Sequence, residues 1–205
     1  WSRWDGSLLV RRGDERFAAF RITNRAGRFG LLGQATPAPA LEGLLADMFE
    51  GTVSVRAEAR IDNRRIDGTY AVSAPAFAAQ AEGLIDLAEN RVDELALSVT
   101  LRNPGLFGGI RLENARLAAT IDGAFRDLAV DHTLEVGQLV SGGTRIADLV
   151  QRGTARYDGS RWTFPLDAGL ARITTGNSLL DPRLANGSVR GTAVLSGRRL
   201  TAENL

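Results

Sequence analysis

Hydrophobic and polar residues alternate with a period of two along most of this chain. From Thr52 to Ile61, "TVSVRAEARI" puts Val53, Val55, Ala57, Ala59 and Ile61 on one side and Ser54, Arg56, Glu58 and Arg60 on the other. That is the pattern of a half-buried strand. The continuation "DNRRIDGTYAVSA" returns across a two-residue turn at Asn63-Arg64. Ile61 then faces Ile66, Ala59 faces Gly68, Ala57 faces Tyr70, Val55 faces Val72 and Val53 faces Ala74. On the reverse side Asp62 meets Arg65 and Arg60 meets Asp67, opposite charges worth ~0.2–1 kcal/mol per pair. A slip of one residue would destroy both patterns together.

The same alternation predicts a strand with Phe77, Ala79, Ala81, Gly83, Ile85 and Leu87 on one face. It predicts another with Leu95, Leu97, Val99 and Leu101. "IRLENARLAATIDGAF" reads as a strand ending at Asp122-Gly123, and "LAVDHTLEVGQL" returns with Leu128, Val130, His132, Leu134 and Val136 on one side. "GTARYDGSRWTFPL" reads as a hairpin turning at Asp158-Gly159, because both central positions of a type I′ turn need φ > 0. Tyr157 then faces Ser160, Ala155 faces Trp162 and Gly153 faces Phe164. Asn186-Gly187 starts a last hairpin-like segment, and "GSLLVRRGDERFAAFRIT" reads as two strands around Gly13-Asp14. "IADLVQ" at 146–151 fits a helical turn or a strand.

One segment departs from period two. In "PAPALEGLLADMFE", residues 37–50, Leu41, Leu44, Leu45, Met48 and Phe49 fall at helical spacing, with Gly51 as the stop. This predicts one short amphipathic helix at or near one end of the fold, its stripe expected in the core. The chain as a whole is expected to be all-β: a single domain over residues 1–205, mainly an antiparallel meander joined by Asp-Gly, Asn-Gly and Gly-Gly turns. Such a meander closes into a sandwich or barrel, or curls as one elongated sheet. Beginning at Trp1-Ser2-Arg3, it reads as a piece of a longer protein.

Composition changes the picture mainly by exclusion. The 205 residues are 44% hydrophobic, enough for a sizeable core. Net charge is +1, with 25 basic and 24 acidic residues, which argues against nucleic acid as a partner. Every basic residue is Arg. There is no Cys, hence no disulfide, thiolate chemistry or Cys zinc site. No apolar run approaches the ~18 residues of a transmembrane helix.

Candidate chemistry is sparse, and no enzyme is expected. The single His, His132, lies in line with Val130 and Leu134, while Asp131 points to the other face, so no triad forms. "SGGT" at 141–144 lacks the Lys of a P-loop. Arg152, Arg156 and Arg161 fit a solvated sheet face better than an anion site. No His or carboxylate cluster has metal-ligand spacing, and no cofactor is expected. What stands out is the use of Ala (Ala57, Ala59, Ala74, Ala79, Ala81, Ala119, Ala155, Ala193) on the apolar faces, with aromatic content of only 6%. Small residues leave volume that a facing sheet fills in a sandwich, or that a ligand's hydrocarbon fills in an open groove.

The phrases "IRLENARLAATIDGAF", "TARYDGSRWTFPLDAGLARITTG" and "NGSVRGTAVLSGRRLTAENL" resemble the AsmA-like envelope proteins, the group that includes TamB and YdbH. The resemblance is one of texture over Gly51 to Leu205. It implies a sheet rolled into an elongated hydrophobic groove, or β-taco. It implies a periplasmic body with an inner-membrane anchor in Gram-negative bacteria, partners among inner- or outer-membrane envelope proteins, and passage of phospholipid toward the outer membrane. The family has no catalytic residues to carry over, and the 37–50 helix departs from its pattern. On this reading Val53, Val55, Ala57, Val72, Ile85, Leu97, Val99, Leu117, Leu134, Trp162 and Phe164 line a groove for phospholipid acyl chains. The alternative is a structural or protein-binding β-sandwich or scaffold with a closed core.

Overall fold

The computed structural model describes residues 2–197 and 199–203. Trp1, Arg198, Asn204 and Leu205 lie outside the described residues, the last three within the segment expected as the final hairpin. The chain forms one open antiparallel sheet of 14 strands. They are β1 (Arg3–Arg12), β2 (Glu15–Arg25), β3 (Arg28–Ala35), β4 (Val53–Asp62), β5 (Arg65–Ser73), β6 (Phe77–Asp86) and β7 (Arg91–Leu101). The second half holds β8 (Ile110–Glu113), β9 (Arg116–Ala124), β10 (Asp127–Ser141), β11 (Thr144–Tyr157), β12 (Arg161–Thr174), β13 (Ala185–Ser196) and β14 (Arg199–Glu203). Each strand pairs with the next, except that β9 pairs β7 while β8 pairs only β10. Among the described residues, substantial contacts between strands run only between sheet neighbours, and β1 and β14 are the outermost strands. The meander is therefore a curled open sheet, neither a sandwich nor a barrel.

The β4–β5 hairpin has the register that its charges and hydrophobics demand, from Ile61↔Ile66 to Val55↔Val72. Other turns moved. The β11–β12 turn centres on Gly159-Ser160 instead of Asp158-Gly159, so Trp162 pairs with Tyr157 and not with Ala155. The Asp158 carboxylate explains the shift. Its Oδ1 accepts from Ser160 N (3.1 Å), Ser160 Oγ (2.7 Å) and Arg161 N (3.1 Å), which holds Asp158 at the turn's first corner. Gly159, at φ +86, takes the first central position, where a type II′ turn needs glycine. Because the displacement is two partners, the faces are preserved. Asp122-Gly123 stays within β9, and the chain turns at Phe125-Arg126 instead. Asn186-Gly187 lies inside β13. Strand β3, absent from the sequence reading, was hidden by Gly30 and Gly33, which interrupt its alternation.

The expected 37–50 helix is two short pieces, a 3₁₀ turn at Ala38–Ala40 and α1 (Leu44–Met48). Pro37 and Pro39 lack N–H donors, and Gly43 at φ +58 breaks the path between the pieces. The apolar stripe splits accordingly. Met48 and Phe49 pack on a cluster of Val53, Ala74, Ala76, Phe77 and Leu106, while Leu44 and Leu45 are exposed. The segment connects β3 to β4 and folds over one rim of the sheet.

The 146–151 segment is strand, and its ambiguity has a cause. Asp148 sits at φ +51, so the apolar residues Ile146 and Leu149 fall three apart. The same device recurs at Glu94 (φ +46) between Val92 and Leu95, and at Asn114 (φ +56) between Leu112 and Ala115. At Glu94 the pairing registers with both neighbours shift, so the extra residue resets the alternation and imitates helical spacing.

Candidate functional site: one apolar face

Pair registers connect the apolar sides of successive strands into continuous lanes. In one lane Val55, Val72, Ala79, Val99, Leu117 and Leu134 are consecutive partners across β4, β5, β6, β7, β9 and β10. The adjoining lane runs Leu31, Ala57, Tyr70, Ala81, Leu97, Ala119, His132, Gly153. Large and small residues alternate strictly along it. Side chains converge on the inside of a curl, and a small neighbour beside each large one gives the needed room.

All eleven residues expected to line a groove lie on this face. Val53 is buried at the rim under Phe49, and Ile85 pairs with Ile66 and Val92. Val55, Ala57, Val72, Leu97, Val99, Leu117 and Leu134 are in the two lanes. Trp162 and Phe164 lie several strands away; Trp162 stacks on Tyr157 at a centroid distance of 5.1 Å and on Phe164 at 6.0 Å. Between β4 and β9 the face carries no charged residue. No second layer of strands covers it, and the protein exposes 13635 Å². A compact chain of this mass would expose about 9,300 Å².

The charges occupy the opposite face. Arg65 turns from its hairpin partner Asp62 to the far neighbour Asp86, Nε to Oδ2 at 2.7 Å. Asp86 is buried and also accepts from the Ala88 and Glu89 amides at 2.9 and 3.0 Å. The Glu89 amide, then Arg65, hold its carboxyl below the ordinary range. Arg25 pairs with Asp5 and Arg190 with Asp167. A crevice of about 320 Å³ is lined by Arg56, Thr69, Gln80, Glu82 and Ser98 of this side and by Tyr70, Ala81 and Leu97. The apolar face is a broad surface and not a pocket of that kind.

His132 is tied into the sheet. Its Nδ1 lies 3.2 Å from the Val130 carbonyl and its Nε2 2.9 Å from Gln151 Oε1. Gln151 Nε2 donates to the Pro165 carbonyl at 2.9 Å. Pro165 has no N–H for the ladder, and no β11–β12 pairs form between Gln151↔Ala168 and Arg156↔Thr163. Gln151 bridges that gap. A proline inside a strand was the sequence signal for the gap; nothing in the sequence marked Gln151 as its bridge. Asp131, on the other face, accepts from the Thr154 hydroxyl. Among the described residues no group of three His, Asp or Glu could hold a metal ion, and no helix is long and apolar enough to cross a membrane. No protein-family model, curated protein or solved structure matches this chain.

Proposed function

We propose that this chain is a segment of a periplasmic phospholipid conduit that holds acyl chains against its apolar face. The observation that carries the reading is that face: unbroken from strand to strand, free of charge from β4 to β9, and left without a covering layer. The resemblance to AsmA-like envelope proteins supports it and supplies the setting, with an inner-membrane anchor and envelope proteins of either membrane as partners. Movement of lipid along such a face needs no catalysis. It needs continuous apolar surface, since each CH₂ left in water costs ~0.8 kcal/mol. Ten-residue strands such as β4 span ~33 Å, more than the ~15 Å of one hydrocarbon leaflet.

Native mass spectrometry of the purified chain, with lipid extraction, tests this. Phospholipid travelling with the protein is the expected result. A clean lipid-free mass overturns the reading. It would favour a protein-binding scaffold, in which an edge strand of the open sheet takes up a partner by strand addition.

A further inference from the structure

Strands β10, β11 and β12 reach past the β7–β9 ladder. That ladder stops level with Glu135 of β10, whereas β10 continues to Ser141, paired there with Ile110 of β8 and Thr144 of β11. Residues 110–113, 138–147 and 172–185 make up this end of the sheet. They hold four arginines, Arg111, Arg145, Arg172 and Arg183, all exposed, and two carboxylates. Glu113 pairs with Arg111 at 3.5 Å, and Asp181 is engaged within its own loop. Among the described residues Arg145, Arg172 and Arg183 have no ion-pair partner. Arg111 and Arg145 both pair with Val140, which puts them on one side of the sheet.

The same end carries the most exposed large hydrophobic residue among those described, Leu179 at 80%, beside Leu180 at 50%. Both sit in the 175–184 loop between β12 and β13, which is folded on itself. Asn177 Oδ1 accepts from the Leu179 and Leu180 amides at 3.0 and 3.3 Å. Asp181 accepts from the Thr175 amide and hydroxyl at 2.8 and 2.9 Å and from the Gly176 amide at 3.1 Å. The loop's own side chains thus satisfy its amides, and the tip can leave water without stranding those donors. Its shape is set in advance, so insertion costs little ordering.

We propose that this end of the sheet docks on an anionic lipid bilayer, with Leu179 and Leu180 among the acyl chains and the arginines at the phosphates. An apolar tip flanked by Arg suits such a surface, because apolar burial and attraction to anionic head groups add. A fluid leaflet takes a protruding tip without a matching pocket. Ile110, about three strand spacings (~14 Å) from β12, is exposed as well and broadens the contact. The contact is separate from the apolar face proposed for acyl chains and does not depend on it.

Vesicle flotation tests the docking, with equimolar phosphatidylcholine and phosphatidylglycerol or with phosphatidylcholine alone. Wild type is expected to bind the mixed vesicles at least about tenfold tighter than the neutral ones, and more weakly as salt is raised. Leu179→Ser combined with Leu180→Ser should weaken binding to mixed vesicles by about tenfold or more. Arg145→Gln with Arg172→Gln should erase most of the preference for them. The chain has no Cys, so a polarity-sensitive dye on Leu179→Cys reports insertion. On Glu89→Cys, in the turn at the other end of the sheet, the dye should stay silent. No wild-type flotation on mixed vesicles, unaltered binding by the leucine pair, an undiminished preference in the arginine pair, or equal dye response at both sites overturns the proposal. So does loss of binding in Ala57→Asp/Val99→Arg with the leucine pair unaffected, which would put the vesicle contact on the apolar face.

Discussion

The side-chain amide of Gln151 donates to the backbone carbonyl of Pro165 at 2.9 Å, across the longer of two stretches where β11 and β12 lose their ladder. A side chain thus replaces a backbone partner that proline's ring excludes. Gln151→Leu should leave the Pro165 carbonyl and His132 Nε2 without partners, costing about 1–3 kcal/mol. Urea unfolding measures the loss. Hydrogen exchange should rise first in residues 152–156, and unchanged exchange there would remove the bridging role.

The strict large–small alternation across the sheet makes a second expectation. Ala119 is buried between Leu97 and His132, whereas Ala118 is exposed on the other face. Ala119→Leu should overpack the inside of the curl and cost about 1–3 kcal/mol. Ala118→Leu should change stability by no more than about 0.5 kcal/mol. Equal effects in thermal melts would mean that the alternation has nothing to do with curvature.

Phe49 meets Phe77 edge to face at 5.3 Å and 83°, anchoring the 37–50 segment on the rim. Phe49→Ala should destabilise by about 2 kcal/mol or more, short of the ~3–5 kcal/mol of a fully enclosed Phe. Leu45→Ser, at a site 52% exposed, should be close to neutral. Differential scanning calorimetry of the two variants separates anchor from surface.

Asp158 gives the pH dependence a sign. Hydrogen bonds from Ser160 Oγ, then from the Arg161 amide, lower its pKa from 3.8 to about 2. Its contribution to stability is therefore present above the unfolded value and lost as pH falls from about 4 toward 2. Asp158→Asn should flatten the melting-temperature curve in that window and leave it parallel to wild type above pH 5. A variant whose acid limb matches wild type would show that the turn does not depend on the ionised carboxylate.

The proposed conduit predicts an asymmetry between faces. Ala57→Asp combined with Val99→Arg puts charge into the two apolar lanes, and lipid recovered with the folded protein should fall to background. Glu58→Arg, on the polar face, should leave it unchanged. Normal lipid content in the folded double variant would count against the conduit.

Local pattern decided a good deal of this protein. Which residues of β4, β5, β6 and β10 share a face follows from alternation alone, because strand geometry allows only two sides. The β4–β5 register follows as well, since hydrophobic and charged pairs agree on one alignment. Other features were beyond local pattern, each for a physical reason. The left-handed residue Glu94 shifts the pairing register within β7, and a one-dimensional pattern cannot tell such a reset from helical spacing. The turn at Gly159 depended on where a carboxylate found its donors. The single open layer could not be told from a sandwich, because both need the same alternation and differ only in what lies opposite. Only the tertiary structure decided that Arg65 would turn to Asp86, that Gln151 would reach Pro165, and that the Tyr70 hydroxyl would be buried alone. Those outcomes rest on neighbours brought together by the sheet, which no stretch of sequence contains.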